Sequence, residues 1–91
     1  MLETMLTRHA AARMQQRGIA AREVADLLAF GREVHDRHGG VVVLLDRHAR
    51  REARRAGVTG ARLDRLAAVY LVEVDGGAIA TVGHRRRRVR R

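Results

Sequence analysis

The sequence has no cysteine, no proline, no lysine and no tryptophan, and its 91 residues include a single phenylalanine and a single tyrosine. Without cysteine there can be no disulfide staple, thiolate metal site or cysteine nucleophile. With 46% apolar residues but only 2% aromatic, the core must be built from Ala, Val, Leu and Ile. The shortage of aromatics also argues against base stacking as a main mode of nucleic-acid recognition. No apolar run approaches the roughly 18 residues that would suggest a membrane-spanning helix. Met1 to Leu6 carries Glu3 and no basic cluster ahead of an apolar stretch, unlike a secretory signal. These absences predict a small, soluble, cytoplasmic protein with no membrane attachment. A chain of this length buries a little over roughly 60% of its unfolded surface, enough for one modest core.

What is present is positive charge. The net charge is +9, and all nineteen basic residues are arginine. The complete replacement of lysine, with heavy use of Ala and Val, fits a GC-rich coding bias and carries no functional message. The distribution is more informative. Arg85, Arg86, Arg87, Arg88, Arg90 and Arg91 supply +6 within the last seven residues, leaving +3 for the preceding eighty-four. The expected organisation is one domain over residues 1–84 and a basic tail over 85–91. Such a tail is often only solvated, but it favours a polyanionic partner: nucleic acid or an acidic protein. Six phosphate contacts would give log K a slope of about −5 against log salt.

The pattern along the chain predicts an α+β domain in the order α-α-β-β-α-β-β. Thr7 can cap a helix running to about Arg17 and closed by Gly18. A second helix covers about Ala21 to Ala29, with Val24, Leu27 and Leu28 as its apolar stripe. Ala20 is a poor cap, so packing must hold that turn. Arg32 to Asp36 reads as a short polar strand, Arg37 to Gly40 as a turn, and Val41 to Leu45 as a strand. Asp46 can cap a third helix from Arg47 to Ala56, apolar only along Leu45, Ala49, Ala53 and Ala56. Val58 to Leu66 reads as a loop with one helical turn. Ala67 to Val74 and Ala78 to Arg85 then form strands about the Asp75-Gly76-Gly77 turn. Simple alternation puts Ala78, Ala80, Val82 and His84 on one face of the last strand, and Ile79, Thr81, Gly83 and Arg85 on the other.

Two stretches carry a resemblance that spans nearly the whole chain. The first is His9-Ala10, Arg13-Met14 and Arg17-Gly18-Ile19, followed by Val24 and Leu28. The second is Asp75-Gly76, Ile79, Thr81-Val82 and His84-Arg85. Together they resemble a bacterial domain family of unknown function whose members open with an H-A-x-x-R-M-x-x-R-G-I helix. That family is in turn distantly similar to the RelE- and BrnT-like toxins of the barnase-EndoU-colicin-RelE fold group. The resemblance implies two helices packed on a small, mostly antiparallel four-stranded sheet. It also implies RNA cleavage and an antitoxin partner, which would be acidic.

Cleaving RNA without a metal needs a base for the ribose 2′-OH, an acid for the leaving oxygen, and cations for the phosphate. Histidine suits the proton transfers, and arginine suits the phosphate. His9 falls in the first turn of the first helix, where free N–H groups favour anions. Arg13 and Arg17 follow on the same stripe. A phosphate there would meet one imidazole and two guanidinium groups. Alternatively, His9 steadies the helix start while Arg13 and Arg17 pair with acids. His84 and Arg85 end the last strand beside the basic run. His9 and His84 are therefore the candidate catalytic pair, and Arg13, Arg17, Arg85, Arg86, Arg87 and Arg88 the candidate phosphate contacts. His35 and His38 bracket a turn near Asp36, a spacing too common to imply a metal, so no metal or cofactor is expected. His48 carries no role. Tyr70 reads as packing with its hydroxyl at an edge. Arg47, Arg50, Arg51, Arg54 and Arg55 on the third helix form either a solvated face or an extension of the basic surface.

Three functions fit. The first is a small metal-independent ribonuclease of the toxin–antitoxin type. The second is a module that binds RNA or other nucleic acid without cutting it, gripping mainly the backbone. The third is an arginine-rich protein that docks on or inhibits an acidic partner. A free edge on so small a sheet also offers a route to a homodimer by strand addition.

Overall fold

The computed structural model describes residues 5–36 and 39–85. The elements are α1 (Arg8–Arg17), α2 (Ala21–Phe30), β1 (Arg32–His35), β2 (Val41–Leu44), α3 (Arg47–Arg55), α4 (Gly60–Ala67), β3 (Val69–Val74) and β4 (Ala78–His84). The fold is α+β, with the four strands forming an antiparallel meander in the order β1-β2-β3-β4. One expected loop is a helix. Gly60–Ala67 forms two full turns because Leu63 and Leu66 recur on one face and both are buried. The helix also takes Ala67 from the start of the expected third strand.

The starts of α1 and α2 have specific chemical causes. The Thr7 hydroxyl accepts the Ala10 N–H at 3.1 Å and so caps α1. Gly18 closes α1 in the left-handed region at φ 66°, letting the Ile19 N–H reach the Met14 carbonyl at 2.9 Å. Ala20 has no capping atom. Instead the Glu23 carboxylate reaches back to the Ala20 N–H at 3.0 Å, the half of a capping box that needs no cap side chain. Packing is therefore not alone in holding that turn.

The core lies between the sheet and the helices. Val43, Val69, Leu71, Ile79 and Val82 supply the sheet side; Ala10, Val24, Leu27, Ala49, Ala53, Leu63 and Leu66 supply the helix side. The opposite sheet face carries Val42, Leu44, Tyr70 and Val72, none of which belongs to that core. This explains why β2 reads as an unbroken apolar run: both of its faces are apolar.

The alternation expected for β4 fails at one residue. Val72 pairs with Thr81, but Glu73 pairs with Ile79, so Ala80 bulges out of the register. Ile79 and Val82 therefore share the core side, at 0% and 1% exposure, although they are three apart. The bulge is bound from outside the sheet. The Thr7 N–H donates to the Ile79 carbonyl at 3.1 Å, and the Thr7 hydroxyl donates to the Ala80 carbonyl at 3.2 Å. One threonine thus caps α1 and fastens it to the bulge.

The helices are joined by ion pairs from α2. Asp26, almost fully buried, accepts two hydrogen bonds from Arg62 at 3.1 and 3.0 Å. This doubly bonded carboxylate raises the Arg62 guanidinium above its already high value. Glu23 faces Arg65 at 3.6 Å. Gly31 lets α2 turn into β1: a Cβ there would lie 2.6 Å from both the Leu27 carbonyl oxygen and a Val43 methyl.

Thr7→Val removes both hydroxyl contacts at nearly constant volume. It should cost about 1–2 kcal/mol in urea denaturation, and Thr7→Ser should recover most of the loss.

Candidate functional site

Depressions on the surface include two that are lined by described residues. One is a shallow apolar trough beside α1, lined by Leu6, Ala11, Met14, Ile19 and their neighbours. It presents little polar surface that could orient a ligand. The other is a polar cleft of about 450 Å³ lined by Leu45, Asp46, Arg47, Arg50, Arg51, Arg54 and Arg85. Its five arginines, against a single carboxylate, make it the candidate site.

The cleft is built from the α3 sequence. Asp46 caps the helix by accepting the Ala49 N–H at 2.8 Å. Ala49 and Ala53 alone face the core, and their small size lets the helix lie close to it. The remaining positions are polar. Arg47, Arg50, Arg51 and Arg54 project along neighbouring rows and span about 10 Å of helix. None of the four has an ion pair among the described residues. Arg55 pairs instead with Glu52 at 3.2 Å and does not line the cleft.

The one carboxylate in the cleft is already engaged. Asp46 accepts Arg32 Nη1 at 2.8 Å as well as the Ala49 N–H. The Ala49 hydrogen bond, then the Arg32 hydrogen bond and the nearby positive charges, hold it below its ordinary pKa. It therefore stays ionised near neutrality and is unsuited to proton transfer there.

Arg85 has a structural role that sequence pattern did not reveal. Its Nη1 donates to the Leu45 carbonyl at 2.9 Å and the Ala67 carbonyl at 3.2 Å. Its backbone N–H donates to the Ala68 carbonyl at 2.7 Å. It ties the ends of β2 and α4 together and forms part of the cleft wall, so it belongs to the folded body and not to a separate tail. Arg86, Arg87 and Arg88 lie outside the described residues, as do Arg37 and His38.

The two expected catalytic histidines are placed by different elements. His9 is exposed in the first turn of α1, whose cap is fastened at Ile79 and Ala80. His84 is exposed at the far end of the same strand, four residues beyond Ala80, or about 13 Å of strand. His84 adjoins Arg85 and the cleft, whereas Thr7, two residues before His9, is bonded at Ile79 and Ala80. Arg17 is exposed, and neither it nor Arg13 is ion-paired among the described residues. Arg13 is half-buried, and its Nε is a buried nitrogen without a hydrogen-bond partner. Tyr70 lies on the uncovered sheet face against Gly83, where an added Cβ would sit 2.8 Å from its hydroxyl. It packs over the glycine and does not line the cleft. Among the described residues, no three His, Asp or Glu side chains gather as a metal site, and no helix is long and apolar enough to cross a membrane.

Comparison with known proteins gives one family. Residues 6–84 match the family described as Domain of unknown function (DUF4258). No curated protein and no solved structure matches the chain.

The lowered Asp46 pKa fixes the sign of a pH effect. Between the folded value and the ordinary 3.8, the unfolded chain binds more protons, so stability rises with pH. Asp46→Asn keeps a good cap but loses the charge. In thermal melts, wild type should exceed this variant at pH 7, and the gap should close as pH falls below 3.8 and past the folded value.

Proposed function

We propose, from the premise that the chain belongs to the DUF4258 family of unknown function, that the protein grips the phosphate backbone of RNA through the arginine cleft. The observation that carries this reading is the set Arg47, Arg50, Arg51 and Arg54, without ion pairs among the described residues and gathered with Arg85 around a carboxylate that Arg32 already neutralises. Guanidinium forks match phosphate oxygens two at a time. The four α3 arginines span about 10 Å, the rise of about three stacked nucleotides of one strand. No aromatic side chain lines the cleft, so binding there is backbone-directed and weakly sequence-specific. RNA as the polyanion rests on the resemblance to RelE- and BrnT-like toxins. In that setting an acidic antitoxin would present carboxylates to the same forks.

Cutting is a second reading, supported by the place of His84 beside Arg85 at the cleft. An imidazole there can exchange one proton with a ribose hydroxyl or a leaving oxygen while the arginines hold the phosphate. His9 does not line the cleft, so the second proton role would fall to water or another group.

Fluorescence anisotropy with a single-stranded RNA, run across a salt series, tests the binding. Four cleft contacts should contribute a log–log slope of about −3, and each of Arg50→Gln and Arg54→Gln should reduce its magnitude by about 0.7. Unchanged slopes in both variants would remove the cleft from the interface. Incubation with labelled RNA tests the chemistry. His84→Ala should abolish cleavage with affinity unchanged, and an intact RNA with wild type would leave the binding module alone.

A further inference from the structure

We propose that β1 is the contact of a symmetric dimer, in which the free edges of two copies pair antiparallel with Val34 on the two-fold axis. β1 is the end strand of the sheet, and all four of its residues are exposed. Val34, the apolar residue of this strand, is 45% exposed.

The backbone fixes which residues can pair. The Asp36 N–H donates to the Gly40 carbonyl at 2.9 Å, so Asp36 turns its peptide groups toward the β2 side. Alternation makes Arg32 and Val34 do the same. Glu33 and His35 therefore direct their N–H and C=O groups to the open edge. An incoming antiparallel strand satisfies these groups only if its own outward residues, Glu33 and His35, stand opposite them.

Three central registers meet this condition, and charge selects among them. In one, Glu33 faces Glu33 of the second copy, a like-charge pair. In another, His35 faces His35 of the second copy, a like pair, and the apolar Val34 falls opposite the charged Asp36. In the third, Glu33 faces His35 on both sides of the axis, Val34 faces Val34, and Arg32 falls opposite Asp36. Every cross-strand pair there is complementary or apolar. Charges on an edge strand ordinarily discourage pairing; here they are self-complementary in a single register. The pairing makes four main-chain hydrogen bonds, two for each Glu33–His35 pair. It also joins the two uncovered apolar sheet faces across the Val34 pair. The contact is smaller than a standard interface and must overcome the +9 charge on each chain, so the dimer is weak and reversible.

Sedimentation equilibrium on full-length protein freed of nucleic acid, at about 0.15 M salt, tests it. Wild type should show a monomer–dimer equilibrium. Glu33→Lys and His35→Glu should each weaken it about tenfold. The double variant restores a complementary, opposite-charge pair on each side of the axis and should recover at least wild-type affinity. An equimolar mixture of the two single variants should dimerise more strongly than either alone. All the substituted side chains are exposed, and urea denaturation of each variant separates lost pairing from lost folding. Wild type that remains monomeric up to about 1 mM, or a double variant no better than the singles, overturns the proposal.

Discussion

The bulge at Ala80 is the constraint on which the rest of the architecture depends. One residue without a register partner rotates the remainder of β4 by one side-chain position. That shift brings Val82 into the core beside Ile79, where strict alternation would have turned it outward. It turns Gly83 to the uncovered face beneath Tyr70. It also leaves two carbonyls for Thr7, which sets where α1 begins. The last strand residues then reach the cleft in the correct sense for Arg85 to bind the ends of β2 and α4. A local backbone irregularity thus couples the first helix, the core and the basic site.

The distribution of carboxylates bears on why four of the α3 arginines have no ion pair among the described residues. Glu23 and Asp26 are committed inside the helix layer to Arg65 and Arg62. Asp46 caps α3 and holds Arg32, and Glu52 takes Arg55 on the far side of the helix. Arg47, Arg50, Arg51 and Arg54 are left facing solvent. Crowding these charges is tolerable because water screens them: two unit charges 4 Å apart repel by only about 1 kcal/mol in bulk water. A polyanion that displaces this water meets an electrostatic surface already formed. The fold itself carries no such message, since similar layers of helix on sheet serve many functions.

The two proposals draw on separate surfaces. The arginine cleft lies where α3 meets the end of β4, whereas the self-complementary edge is β1. They approach each other at Arg32, which sits in the first position of β1 and bonds the cleft carboxylate Asp46. Pairing across β1 would therefore hold two clefts in a fixed mutual orientation. A protein with weak contacts at each cleft gains from such an arrangement because the second binding event becomes intramolecular.

Composition and local pattern determined much of this protein. The two opening helices, their Thr7 and Asp46 caps, the Val41 strand and the final hairpin all follow from short-range rules: capping oxygens, apolar periodicity and glycine turns. The α3 arginines were also visible as a charged stripe. Pattern could not reveal the second turn of α4, whose Leu63 and Leu66 gain their helical preference from burial against the core. Nor could it place the Ala80 bulge, because an extra residue in a strand is specified by what binds its carbonyls, and Thr7 lies seventy-three positions away. Candidate groups were likewise legible only as residue types. His9 and His84 looked like an acid and a base, yet four residues of β4 separate His84 from Ala80, where the start of α1 is fastened. Arg85 looked like the start of a tail but is bonded into the body. Sequence set which groups were on offer; only tertiary structure decided which of them meet, because meeting depends on distances between segments that no local rule encodes.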